Sequence, residues 1–207
     1  MPTRVIAYID GFNLYFGLKE RGWRQFYWLN IHQLMMNLLK PDQVLARTKY
    51  FTSRVSGSHH DLDKSHRQAI YLEALETLPE FRIYYGHYLQ SSVLCPHCKR
   101  SWMAPEEKMT DVNIAVEMMT DAFQNQFDTA ILVSGDSDLA APLEAIKRLF
   151  PAKKVIVAFP AGRISNRLAR LAYASFVIGR TKYAKSLFPD MVPKPGGFVL
   201  CRPINWR

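Results

Sequence analysis

Only three cysteines occur in 207 residues, too few for a disulfide framework, so a reducing cytoplasm is the expected setting. No apolar run approaches the ~18 residues of a membrane-spanning helix. The first strand-like run begins by residue 4, which leaves no room for a secretory leader and again points to a cytoplasmic protein without a membrane partner. Several reaction signatures are missing too. No Gly-x-Gly-x-x-Gly follows the first apolar run and there is no glycine-rich P-loop, which argues against a dinucleotide or nucleoside-triphosphate enzyme of those types. Gly135-Asp136-Ser137-Asp138-Leu139 does not supply the Gly-x-Ser-x-Gly of a serine hydrolase. Asp10 has no second acid two residues on, which weakens an aspartyl-phosphate mechanism. Internal repeats and low-complexity tracts are absent.

Acidic residues are scarce in one half of the chain. From Lys147 onward, 13 Lys and Arg face a single acid, Asp190, a balance of +12. Residues 1–146 carry 14 basic and 17 acidic side chains, a balance of −3. A basic back half implies a polyanion lying across one face. A solubilising surface is the competing explanation.

What the sequence does contain is a series of apolar runs that close in polar turns. Thr129-Ala130-Ile131-Leu132-Val133 runs into Ser134-Gly135-Asp136-Ser137-Asp138, and Arg4-Val5-Ile6-Ala7-Tyr8-Ile9 runs into Asp10-Gly11-Phe12-Asn13. Short, wholly apolar runs before helical patterns read as buried parallel strands. Further strands are expected within 44–55, over 81–89 and 154–159, and at a short edge, 175–178. Helices are expected over 13–21, 28–39, 61–78, 139–150, 163–172 and 181–187. Another helix runs from Thr110, as N-cap, through Ala122. Residues 95–103 read as a small excursion closed by Pro105, within a cysteine-containing stretch near 90–105. Strands alternating with helices predict a three-layer, doubly wound, mainly parallel α/β sheet with helices on both faces. One domain over residues 1–187 and a Pro/Gly-rich extension over 188–207 are expected.

Right-handed crossovers give this topology a chemical consequence. A helix that follows a strand starts at that strand's C-terminal edge, which would bring Asp111 to the rim that holds Asp10, Asp136 and Asp138. Ligands of open α/β sheets bind outside that edge, where the strand order reverses. Clustered carboxylates repel unless a cation lies between them, and oxygen ligands with open positions suit Mg²⁺ or Mn²⁺. Asn13 can hold a carboxylate or phosphate oxygen, and the Ser134 and Ser137 hydroxyls can orient Asp136 or bind water. Each residue also has an ordinary explanation: turn formation at Asp10-Gly11, helix capping by Asp136 or Asp138, and a favourable helix dipole at Asp111.

Ile9-Asp10-Gly11-Phe12-Asn13-Leu14-Tyr15, Glu107-Lys108-Met109-Thr110-Asp111-Val112-Asn113 and Val133-Ser134-Gly135-Asp136-Ser137-Asp138-Leu139, in this order, resemble the NYN domain, most closely its LabA-like branch, across residues 4–180. The resemblance implies a PIN-like, Rossmannoid fold, a Mg²⁺ or Mn²⁺ site, and metal-dependent hydrolysis of RNA phosphodiesters. Asp10, Asp111, Asp136 and Asp138 match the acidic positions of the family, and Asn13 and Ser134 its accessory polar ones. On this reading Asp10 and Asp136 are the principal ligands, with Asp111 and Asp138 contributing directly or through water. Lys108 would meet a scissile or flanking phosphate, and Arg163 and Arg167 the RNA backbone, single-stranded or structured. The alternative is a non-catalytic RNA-binding or regulatory adaptor that keeps the fold. Oligomeric state stays open, with a homodimer among the options.

Cys95-Pro96-His97-Cys98 has the spacing of half a zinc site, with Cys201, His87 or His97 as completions. One such pair without a second allows Zn²⁺ but does not establish it.

Overall fold

The computed structural model describes the backbone of residues 2–55, 63–94 and 96–206, with side chains for all of these except residues 89–91, 93 and 102–107. The chain opens with β1 (Thr3–Asp10), α1 (Gly11–Glu20), α2 (Ile31–Met36), β2 (Gln43–Thr52), α3 (Asp63–Glu76) and β3 (Phe81–Tyr85). A hairpin of β4 (His87–Leu94) and β5 (Ser101–Lys108) leads into α4 (Thr110–Phe123). Then come β6 (Thr129–Val133), α5 (Ala140–Leu149), β7 (Lys154–Phe159), α6 (Asn166–Leu171), β8 (Ala174–Val177) and α7 (Arg180–Ala184). A second small hairpin, β9 (Met191–Pro193) and β10 (Val199–Cys201), ends the fold.

Six strands form one sheet in the order β3-β2-β1-β6-β7-β8, every neighbouring pair parallel. The chain works outward from β1 to β3, crosses back through α4 to β6 beside β1, and works outward again. The order therefore reverses between β1 and β6.

Alternation along the strands builds the two outer layers. Val5, Ala7 and Ile9 of β1, with Ile131 and Val133 of β6, pack in a core that includes Leu14 and Leu18 of α1, Leu34 of α2, Leu75 of α3 and Tyr183 of α7. Ile6, Tyr8, Ala130 and Leu132 face the other way, into a core with Ile114 and Met118 of α4, Leu143 and Ile146 of α5 and Leu168 of α6. Burial on both faces explains why these strands are apolar throughout. The extension from residue 188 packs on the first core through Phe188, Val192 and Leu200. Among the described residues no helix is long and apolar enough to cross a membrane.

Several boundaries differ from the sequence reading. The strand expected over 81–89 is two strands, because the Gly86 N–H donates to the Thr52 carbonyl at 2.8 Å and the chain then leaves the sheet. The excursion is a longer antiparallel hairpin in which Pro105 sits opposite Gln90, tolerable because a two-stranded ribbon has only edge strands. Met109, not Thr110, occupies the N-cap of α4, with left-handed φ of 81°. The helix expected from residue 163 starts at Asn166, where Ser165 accepts a hydrogen bond from the Leu168 N–H. The helix expected over 28–39 keeps only six residues.

Candidate active site

At the reversal point β1 ends in Asp10 and β6 ends in the Ser134 turn. Asp10 is 4 % exposed and Ser134 fully buried. One Asp10 oxygen, Oδ1, accepts from the Asn13 N–H at 2.9 Å, which makes Asp10 the N-cap of α1. The other, Oδ2, accepts from the Ser134 hydroxyl at 2.8 Å. Ser134 Oγ in turn accepts from the Asp136 N–H at 3.0 Å, and Asn13 Oδ1 accepts from the Gly135 N–H at 2.9 Å. Two segments 124 residues apart are thus joined by a short polar network around one carboxylate.

The sequence reading assigned Ser134 to Asp136 and Asn13 to a carboxylate or phosphate. The structure gives the Ser134 hydroxyl to Asp10 and uses only the oxygen of the Asn13 amide, which leaves the expectation for the Asn13 amide donors untested. Ser134 orients the Asp10 side chain and touches only the backbone of Asp136. The Asn13 side chain ties α1 to the Gly135 backbone. Each Asp10 oxygen keeps a second lone pair after these bonds.

Burial pushes the Asp10 carboxyl up to about 7. Hydrogen bonds from Asn13 and Ser134 oppose that rise, while the nearby Asp111 and Asp136 charges add to it. Asp111 lies half-buried in the first turn of α4. Asp136 caps the short 3₁₀ turn Ser137–Leu139, with its Oδ1 accepting from the Asp138 N–H at 3.0 Å. Asp10, Asp111 and Asp136 therefore share one electrostatic neighbourhood. Asp138 is exposed and touches it through its backbone. Asp10 and Asp136 thus also serve the ordinary capping roles.

Close backbone approach makes the neighbourhood possible. A Cβ on Gly135 would lie 2.3 Å from the Arg163 carbonyl oxygen, and one on Gly11 would lie 2.6 Å from the Tyr50 ring. Tyr50, which the sequence reading missed, is buried behind the turn, and burial together with Asp10 raises its hydroxyl pKa.

The expected phosphate ligands are placed less simply. Arg163 pairs with Glu20 and stands over the Phe16 ring. Arg167 lies 3.8 Å from Glu144. Lys194 also meets a front-half acid, Glu73, at 2.8 Å. Three cations of the basic back half thus meet acids of the front half. Lys108 ends β5, half-buried, opposite His87. Cys95 lies outside the described residues. Cys98 and His97 are exposed in the β4–β5 turn, and Cys201 is exposed in β10. Among the described residues, no three His, Cys, Asp or Glu side chains gather closely enough to hold a metal on their own.

Behind α4 the sequence reading missed a buried ion network. Lys49 of β2, 2 % exposed, meets Asp121 at 2.6 Å and Glu117 at 2.7 Å, and the Tyr8 hydroxyl donates to Asp121 at 2.6 Å. Burial lowers the Lys49 pKa, but the two carboxylates outweigh that and raise it. A lysine inside a buried strand, with acids four residues apart on a later helix, was the available signal. A cavity of about 900 Å³ also opens beside the rim, and Gly11 and Phe12, the residues after Asp10, form part of its wall.

Comparison with known proteins adds three findings. The family profile of the NYN domain matches residues 4–178. The chain is 27% identical to 6-hydroxy-3-succinoylpyridine 3-monooxygenase HspA of Pseudomonas putida, over 99% of this chain and 76% of that protein. It also superposes on the crystal structure of a protein of unknown function from Vibrio parahaemolyticus RIMD 2210633, with a TM-score of 0.57 and 20% identity, over 90% of this chain and 97% of that one. The last likeness concerns the fold alone.

Proposed function

The chain belongs to the NYN domain family of PIN-like nuclease domains, and from that premise we propose that it is a divalent-metal-dependent ribonuclease. The observation that carries the reading is Asp10, a buried carboxylate at the strand-order reversal with Asp111 and Asp136 as its charged neighbours. A buried acid pushed up to about 7 by desolvation and like charges is unfavourable unless a cation or proton relieves it.

The donor set fits a hard cation. It is made of carboxylate oxygens, and Mg²⁺ keeps most of its waters and takes only one or two direct carboxylates. The lack of a ready three-ligand cage among the described residues is compatible with that habit. Asp10 and Asp136 would hold Mg²⁺ or Mn²⁺ directly, with Asp111 and the exposed Asp138 acting through water. Bound there, such an ion lowers the pKa of a water and neutralises charge on a phosphodiester.

The chain's own residues do the positioning. Ser134 fixes the Asp10 rotamer, and Asn13 fixes the spacing between α1 and the Gly135 turn. Asp138, exposed at the rim, can take the proton of an attacking water. Lys108, three residues before Asp111 in the chain, would meet a scissile or flanking phosphate. Arg163 would compete with its Glu20 pairing to reach a phosphate backbone, and the exposed Arg167, 3.8 Å from Glu144, would meet it beside that acid.

Purified protein incubated with labelled single-stranded and structured RNAs, with Mn²⁺ or with EDTA, tests the reading. Metal-dependent cleavage lost in Asp10→Asn and Asp136→Asn, with RNA binding retained, is the expected result. Salt-sensitive RNA retention without cleavage by any variant would leave only the adaptor alternative.

One observation favours a second reading. The Pseudomonas relative bears the name of an oxygenase acting on a hydroxypyridine, and a partly aromatic cavity adjoins the rim here. Oxygen uptake with a hydroxypyridine acid and a reduced nicotinamide or flavin donor would support it. Absence of uptake alongside RNA cleavage would exclude it.

A further inference from the structure

The cavity beside the rim has a wall that the aspartate chemistry leaves unused. Four of its aromatic side chains form a continuous run. Ring centroids lie 5.1 Å apart from Tyr15 to Tyr27, 5.8 Å from Tyr27 to Trp206 and 6.0 Å from Trp206 to Tyr71. Such runs ordinarily belong to the core, as does the fully buried Trp28 beside this one. These four are only half-buried and border about 900 Å³ of open volume. Tyr71 is fixed from behind, its hydroxyl donating to the Leu29 carbonyl at 2.9 Å.

Among the described residues, the charged part of the wall is one-sided. Lys19, Arg24, Lys64 and Arg67 line the cavity, with Asp63 the single acid among the described lining residues. An aliphatic ligand has no use for four cations, and a bare polyanion has no use for an aromatic wall. A flat ring joined to an anionic group satisfies both. Aromatic side chains give a base a stacking surface whatever its identity, and cations beside them hold the phosphate.

We propose that this cavity binds a nucleotide, its base against the Tyr15, Tyr27, Trp206 and Tyr71 wall and its phosphate among Lys19, Arg24, Lys64 and Arg67. The nucleotide belongs to an RNA strand entering the Asp10 site, a point that rests on the nuclease reading. Gly11 and Phe12 are shared between the cavity wall and the turn after Asp10, so a strand seated here continues to the rim. A base inside a duplex is stacked and paired and cannot enter, so the substrate is single-stranded at this position.

The test uses the full chain carrying Asp136→Asn, titrated with AMP, UMP, nicotinate, a short single-stranded RNA and its duplex, and followed by calorimetry and tryptophan fluorescence. Expected are binding of the single strand, competition by the monophosphates, and roughly tenfold or weaker binding of the duplex. Arg24→Glu and Lys64→Glu, both at exposed positions, should each weaken the single strand about tenfold in low salt. Trp206→Ala should weaken it comparably and Trp206→Phe should restore it. Nucleotide affinity that ignores Arg24→Glu overturns the assignment, whatever the fold of the Trp206 variants. So does preference for nicotinate over both monophosphates, which would assign the cavity to small aromatic acids. RNA cleavage by the unmodified chain that none of the cavity variants alters overturns the cavity proposal and leaves the nuclease reading standing. Nucleotide binding without any cleavage does the reverse.

Discussion

Asp10 carries a helix cap, a buried charge and the centre of the candidate site on one carboxylate. Its folded pKa, raised to about 7 chiefly by burial, exceeds its unfolded value of 3.8. In the metal-free protein the folded state therefore holds an extra proton between those two pH values. The stabilisation is complete below the unfolded value and is lost as pH rises through about 7. Urea midpoints measured from pH 4 to 8 in EDTA should fall with rising pH, and Asp10→Asn should flatten the profile. Ser134→Ala removes a donor to the charged form. It should cost about 1–3 kcal/mol of stability at neutral pH and move the Asp10 titration upward, readable by carboxyl NMR. Glycine at position 135 is a residue-scale requirement of another kind. Gly135→Ala drives a methyl against the Arg163 carbonyl, and thermal unfolding should show a loss of about 1–3 kcal/mol, the usual cost of overpacking.

At the scale of elements, α4 brings Asp111 to the rim and is anchored from beneath. Glu117 and Asp121 project from its later turns onto Lys49 of β2. Removing the lysine charge leaves two acids facing an apolar interior. Lys49→Met should cost about 3–5 kcal/mol, the range for breaking a buried pair. Glu117 is 26% exposed in its side chain, which places the loss toward the lower end. If denaturant unfolding showed no change, the network would be carrying no load in positioning α4.

Over the whole molecule, the tail after residue 187 is a part of the packing. Phe188, Val192 and Leu200 lie in the first core, Lys194 reaches Glu73 of α3, and the Trp28 indole donates to the Pro189 carbonyl at 2.7 Å. Fully burying an apolar side chain of this size contributes about 1.5–3 kcal/mol. Truncation after Leu187 should therefore lower the melting temperature markedly, measured by circular dichroism, and expose the cavity bordered by Trp206. An unchanged melting temperature would make residues 188–207 a dispensable appendage.

Much of this architecture could be read from the chain because its causes are local. Apolar runs such as residues 129–133, each closing in a polar turn, identify doubly buried parallel strands, and alternation with helical patterns gives the three layers. The turns that end β1 and β6 pointed to Asp10 and Asp136 for the same reason. Partnership was decided only in the folded state, since it depends on segments far apart in sequence. Nothing near Ser134 says that its hydroxyl turns to Asp10 rather than Asp136. Nothing near Arg163 announces Glu20, and no count of charges reveals that Arg163, Arg167 and Lys194 each meet an acid of the front half. The aromatic cavity has the same origin. Tyr15, Tyr27, Tyr71 and Trp206 look like core residues one by one, and only the packing of α1, α3 and the tail leaves an open volume beside them.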